Sequence, residues 1–200
     1  SYSYQNGGTI YIKKNATLNL YDGTIERRTL KDPYHETSYN AAGAYYKYAQ
    51  YLDVDLGGTV YVYPTAKLNV YGGTITDGTA VTSGSCVYSH SSHTSNSGFV
   101  TLSNDADVAE VYFKTATPQN YLTIDGTYTG TASLTLQSAT DGQQIGKLIN
   151  NADISQAAIS CANDSDLYVV AEGTNLVLTD EMPESTVAVN GGVAYTSVQN

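Results

Sequence analysis

Three groups of residues in this 200-residue chain have types and spacings that bear on chemistry. Asp53-Val54-Asp55 puts two carboxylates on the same side of an extended strand. Such a pair suits acid–base cleavage of a glycosidic bond, or half of a Ca²⁺ site. No third carboxylate recurs at that register in the neighbouring repeat, so a solvated strand edge accounts for the pair as well. Asn104-Asp105-Ala106-Asp107 resembles part of an oxygen-rich Ca²⁺ loop, but it lacks the downstream Gly and bidentate Glu. It reads equally as a turn with local side-chain caps. Cys86, His90 and His93 are spaced as three zinc ligands could be, with His35 as a fourth. No nucleophile-elbow sequence, acid-oriented triad or phosphate-cradling glycine loop accompanies them. The expectation is therefore no catalytic residue, no metal and no cofactor.

A further group is aromatic. The chain has 19 Tyr, 2 Phe and no Trp. Tyr39, Tyr45, Tyr46, Tyr48 and Tyr51 crowd one segment, and Tyr2 and Tyr4 stand near the start. Clustered Tyr rings can stack on sugars while their hydroxyls bond the sugar hydroxyls, or anchor a protein partner. They can also simply pack that segment down onto the rest of the fold. These five residues are the candidate ligand-binding set.

The elements that would position such residues are set by a repeat. Residues 7–25 read GGTIYIKKNATLNLYDGTI, and residues 57–75 read GGTVYVYPTAKLNVYGGTI. The copies lie 50 positions apart without a gap and share eleven of nineteen residues. In each copy apolar residues alternate in short runs: Ile10 and Ile12, Leu18 and Leu20, then Ile25. Gly, Asn and Asp punctuate the runs, the mark of half-buried strands joined by turns. Pro64 stands at a turn, where it displaces no ladder hydrogen bond. Strand–turn–strand–turn–strand at a fixed period predicts one coil of a parallel β-solenoid. An antiparallel β-sandwich is the alternative. The match runs through the turns, which a solenoid demands and a sandwich does not.

Residues 1–98 are thus read as coils, with residues 26–56 either a degenerate coil or, preferably, an inserted excursion. Residues 99–180 carry strand candidates at Val100–Leu102, Val108–Phe113, Tyr121–Ile124, Ala132–Leu136, Leu167–Val170 and Leu176–Leu178. They are read as looser coils or a β-rich cap, since an open coil end is an unpaired edge. Ile145–Ile159 has some helical spacing, interrupted at Asn150-Asn151 and Asp153. Residues 181–200 are read as a linker and the start of a following module. The chain opens on Ser1 and is read as a mature chain or an excised piece of a longer one.

Charge bears on partners. The net charge is −10, and all of the excess lies in residues 101–200, where Lys114 and Lys147 face twelve acids. A phosphate backbone would be repelled, which excludes nucleic acid as an expected partner. No apolar run is long enough to cross a bilayer as a helix. Cys86 and Cys161 make no disulfide framework, and Cys161 closes the run AAISC as a small buried hydrophobe would.

The coil pattern GGT-[IV]-Y-[IV] followed by A-x-LN-[LV]-Y-x-GTI resembles right-handed parallel β-helix regions in large secreted or wall-attached, adhesin-like proteins of gut Gram-positive bacteria. FVTLSNDADVAEVYF and YLTIDGTYTGTASLTL are similar to the coils that close such regions, and VAVNGGVAYTSVQN is similar to the opening of a following module. The resemblance is specific at 7–25 and 57–75. It implies a location outside the cell or on its surface, a scaffold or adhesive role without catalysis, and flanking modules of the same chain. Host or dietary glycans, or a surface protein, would be the partners. Parallel β-helices also carry polysaccharide lyases and hydrolases, which is the enzymatic alternative; it would require carboxylates from adjacent coils to converge in a groove.

Overall fold

The computed structural model describes residues 9–26, 38–39, 45–46, 57–76, 83–90, 99–114, 122–182, 187–190 and 193–196. Among them the fold is all-β, with no helix. The first copy of the repeat forms β1 (Ile10–Ile12), β2 (Thr17–Leu20) and β3 (Thr24–Ile25). Two short strands follow, β4 (Ser38–Tyr39) and β5 (Tyr45–Tyr46). The second copy forms β6 (Val60–Val62), β7 (Lys67–Val70) and β8 (Thr74–Ile75). Then come β9 (Val87–Ser89), β10 (Phe99–Asn104), β11 (Asp107–Phe113), β12 (Leu122–Tyr128) and β13 (Thr131–Leu136). The chain continues through β14 (Gln144–Asp153), β15 (Ala158–Cys161), β16 (Tyr168–Glu172) and β17 (Asn175–Thr179). It ends with β18 (Val187–Asn190) and β19 (Val193–Thr196), which pair with each other.

Fifteen strands form one mixed sheet, nearly closed on itself like a barrel. Most of it is parallel. β1 pairs β6 in register, Ile10 on Val60 and Ile12 on Val62, and β2 pairs β7 with Leu18 on Leu68. β3 pairs β8 with Ile25 on Ile75. The two copies therefore lie side by side at the offset of their sequence repeat. Between the copies, β4 and β5 pair with each other in a separate two-stranded sheet. The pairing that carries the repeat is parallel, so antiparallel hairpins of a sandwich do not account for it.

The same ladders continue into the second half of the chain. Val60, Val87, Val111, Leu134 and Cys161 are successive partners. So are Leu68, Val100, Leu122 and Gly146, and, one strand face along, Val70, Leu102, Ile124 and Leu148. Ile75, Val108, Ala132 and Ile159 form a fourth row. These side chains and Phe113, Tyr128 and Leu136 make one continuous core. Period-2 alternation turns every second residue inward, and stacking like on like fills each layer against the next.

Antiparallel pairing enters at the end. β16 and β17 form a hairpin over Gly173, β16 touches β15 at Ser160–Tyr168, and β17 runs against β14. Gly146 makes room for this closure, because a Cβ there would lie 2.7 Å from the Leu176 side chain. Leu176 and Leu178 are fully buried, so the hairpin covers the last apolar layer. Asn163 replaces a missing strand residue: its Oδ1 accepts from Leu136 N at 2.7 Å and its Nδ2 donates to Leu136 O at 2.8 Å. An open edge is thereby satisfied by one side-chain amide. Both Cys86 and Cys161 are buried thiols.

Candidate functional site

The triplets Ile10-Tyr11-Ile12, Val60-Tyr61-Val62, Val87-Tyr88-Ser89 and Val111-Tyr112-Phe113 occupy one parallel ladder. Their outer residues face the core, so the central tyrosines share the opposite face. Strands about 4.8 Å apart set the ring spacing. Tyr11 stacks on Tyr61 at 5.0 Å between centroids and 4° between planes. Tyr61 stacks on Tyr88 at 5.6 Å and 5°, and Tyr88 on Tyr112 at 5.1 Å and 13°. Offset stacks of this kind are worth roughly 0.5–1.5 kcal/mol per pair beyond area burial. Tyr11 is 40% exposed, whereas Tyr61 and Tyr88 are 2% and 3% exposed.

His90 follows β9 directly and lies edge-on to two rungs of this stack. Its ring is 5.7 Å from Tyr61 at 84°, and 6.0 Å from Tyr88 at 86°. Nδ1 of His90 is hydrogen-bonded to the Tyr61 hydroxyl. Tyr63 leans over both, 6.2 Å from Tyr11 and 6.5 Å from His90. Burial lowers the His90 pKa below its usual range, and the Lys114 charge lowers it further. Burial, followed by the neighbouring phenols, raises that of Tyr61. In the tautomer with its proton on Nε2, a neutral imidazole accepts through Nδ1 from a phenol that stays protonated. Gly84 (φ +70°) keeps this site closed: a Cβ there would meet Tyr88 Cβ at 3.0 Å and Tyr112 Cβ at 3.2 Å.

Polar groups elsewhere tie neighbouring rungs together. Asn69 Nδ2 donates to Asn19 Oδ1 at 2.8 Å, and Tyr21 stacks on Tyr71 at 5.2 Å. Glu110 accepts from Ser85 N and Oγ, both at 2.6 Å, and from Thr135 Oγ1 at 2.7 Å. Asp107 Oδ1 accepts from Thr131 N and Oγ1, both at 2.9 Å. Asp125 accepts from Asn150 at 2.6 Å. These carboxylates bridge layers. A shallow trough of about 350 Å³ crosses β11, β13 and β15, floored by Ala109, Ser133 and Ser160.

The sequence candidates fall in several places. Tyr39 and Tyr45 are backbone partners in the β4–β5 ladder, as are Ser38 and Tyr46. Tyr48, Tyr51, Asp53, Asp55, His35 and His93 lie outside the described residues. The Cys86 thiol sits in the core and donates to Ile75 O at 3.4 Å, while His90 is engaged with Tyr61. Among the described residues no group of three His, Cys, Asp or Glu side chains is placed to hold a metal. Asn104-Asp105-Ala106-Asp107 is a turn, with Asn104 at φ 51° and its Nδ2 donating to Tyr71 O at 2.8 Å. The tyrosine ladder was accessible from sequence as a recurring aliphatic–Tyr pair in Ile10-Tyr11, Val60-Tyr61, Val87-Tyr88 and Val111-Tyr112. No protein-family model matches the chain, and neither the curated proteins nor the solved structures return a match.

Proposed function

We propose that the chain is a segment of a right-handed parallel β-helix that serves as a non-catalytic structural or adhesive spacer in a large extracellular or cell-surface bacterial protein. The observation that carries this reading is the in-register stacking of identical repeat residues, Tyr11 on Tyr61, Asn19 on Asn69 and Tyr21 on Tyr71. The repeat is spent on building layers, and the described bridging carboxylates are spent on joining them. The antiparallel β16–β17 hairpin is then the cap that blunts the last coil. Stretching single molecules between residues 9 and 182 tests the mechanical role. A spacer unravels at high force in layer-sized steps, and low-force collapse in one step opposes the role. Release of new reducing ends or unsaturated sugars from a polysaccharide panel would replace it with the lyase or hydrolase alternative.

A second reading is favoured by the β4–β5 ladder, which sets Tyr39 opposite Tyr45 within the excursion. There the Tyr-rich segment, with Tyr46, Tyr48 and Tyr51, forms a surface for host or dietary glycans. Glycan-array binding that disappears in Tyr45→Ala with Tyr48→Ala supports it. An empty array, or binding unchanged in that double variant, removes it.

A further inference from the structure

We infer that the Tyr61–His90 pair is a one-electron oxidation site, and that the stacked rings carry the oxidised state from it to Tyr11 at the surface. Three features on one ladder converge on this. Tyr61 is a buried phenol whose hydroxyl is bonded to a ring nitrogen, an arrangement that gives its proton a place to go. Its ring lies nearly coplanar in orientation with Tyr11 and Tyr88 on either side, 5.0 and 5.6 Å away. One end of the stack, Tyr11, is exposed, while Tyr61 is buried and His90 is half-buried. Rung stacking explains why the rings are parallel. It does not explain a histidine held edge-on to both Tyr61 and Tyr88, the two buried rings flanked on both faces, with its Nδ1 bonded to the Tyr61 hydroxyl.

The chemistry balances as follows. A one-electron oxidant, such as a peroxide-derived oxidant, removes an electron from the Tyr61 ring and is itself reduced by one electron. The phenolic proton passes to His90 Nδ1, leaving a neutral tyrosyl radical beside an imidazolium. Tyr11 then gives an electron to Tyr61 and its own proton to solvent, while His90 returns its proton to the Tyr61 oxygen. The radical now resides at Tyr11, where a soluble reductant such as ascorbate restores the phenol by supplying one electron and one proton. No bond between heavy atoms forms or breaks. The groups facing His90 among the described residues are Tyr61, Tyr63, Tyr88 and the Lys114 charge. None is a carboxylate that would take over its role as proton acceptor.

Laser flash-quench oxidation with a soluble ruthenium(III) trisbipyridine, read by transient absorption and electron paramagnetic resonance, tests the inference. The work is done on a Tyr21→Phe background, which removes the most exposed ring among the described residues. The expected result is a tyrosyl radical whose formation slows in His90→Phe by roughly a hundredfold, the low end for a positioned proton acceptor. His90→Gln, which restores an acceptor oxygen, recovers part of that rate. Tyr61→Phe abolishes the fast radical. Tyr11→Phe leaves it in place but lengthens its survival in ascorbate. In the unsubstituted protein, formation slows as the pH falls through the His90 titration, a readout that needs no variant to fold. Equal rates in His90→Phe and its parent, or a rate flat across that titration, would overturn the inference.

Discussion

Thr65 offers a sharp test of how the repeat is built. It occupies the turn of the second copy at φ 73°, and Asn15, fifty residues earlier, holds the same place at φ 60°. The left-handed region costs an ordinary L-residue roughly 1–2 kcal/mol, and asparagine is among the few that visit it readily. A β-branched threonine carries that cost in full. It is compensated in part by two exposed bonds: Thr65 Oγ1 donates to Asn15 Oδ1 at 2.6 Å and accepts from Asn15 N at 3.3 Å. In Thr65→Asn the new Nδ2 can donate to Asn15 Oδ1, as Asn69 Nδ2 does to Asn19 Oδ1 at 2.8 Å, and the new Oδ1 can accept from Asn15 N. The net gain is about 1 kcal/mol, which for a chain of this size raises Tm by about 2–4 °C. Thr65→Ala keeps the backbone cost and loses both bonds, so it falls by about 1 kcal/mol. Equilibrium urea unfolding followed by circular dichroism gives both values. A destabilised Thr65→Asn, or a stabilised Thr65→Ala, would show that the backbone conformation is not what limits this turn.

Three further outcomes follow from the same layers. Leu68, fully buried between Leu18 and Val100, loses about 3–5 kcal/mol on truncation to alanine, while Tyr21→Ala on the exposed stack loses no more than about 1.5 kcal/mol, both by denaturant unfolding. His90 has a folded pKa below its ordinary 6.5, so the unfolded chain binds the extra proton first. Stability therefore declines as pH drops below 6.5, levels off beneath the folded pKa, and loses this slope in His90→Phe when melting is followed against pH. Finally, replacing residues 27–56 by a copy of residues 77–82 should leave β1, β2 and β3 on their partners. The chain already makes the same step between Thr76 and Ser83, whose carbonyl accepts from Gly57 N at 3.2 Å. Shortening thirty residues to six lowers the closure cost by about 1.4 kcal/mol, as (3/2)RT ln 5. Loss of cooperative unfolding in that variant would mean the excursion is part of the layered core.

The repeat made much of the fold legible. Alternation in Ile10–Ile12, Thr17–Leu20 and Thr24–Ile25 marks three strands that form where expected, and identity through the turns foretells the register of Leu18 on Leu68. Beyond the second copy the signal thins, because later layers keep only the inward aliphatic pattern and vary the turns. The stretch from Ile145 hides a ten-residue strand, β14, for a local reason. Asn150 and Asn151 both adopt φ 54°, and the pairing to β12 shifts register there, which breaks the period-2 pattern that identifies a strand. The antiparallel closing hairpin left a turn signal at Glu172-Gly173, but its direction depends on room created by Gly146, a tertiary contact no local pattern encodes. The site was legible only by residue type. Cys86 and His90 are spaced as zinc ligands could be, yet the thiol lies in the core while the imidazole lies on the tyrosine face, a separation that period-2 alternation does not foretell for residues four apart.

Parallel in-register stacking of the two copies is what every other conclusion rests on, and a cross-link measures it. Asn19 and Asn69 are direct partners on the outer face of β2 and β7. Adjacent strands hold such Cα atoms about 5 Å apart, within disulfide reach. Asn19→Cys with Asn69→Cys should oxidise quantitatively to an intramolecular bridge, read as a mass loss of two hydrogens that reductant reverses. Thr17→Cys with Asn69→Cys, displaced by two residues and beyond about 7 Å, should remain reduced. A bridge in the second pair, or none in the first, would contradict the stacking.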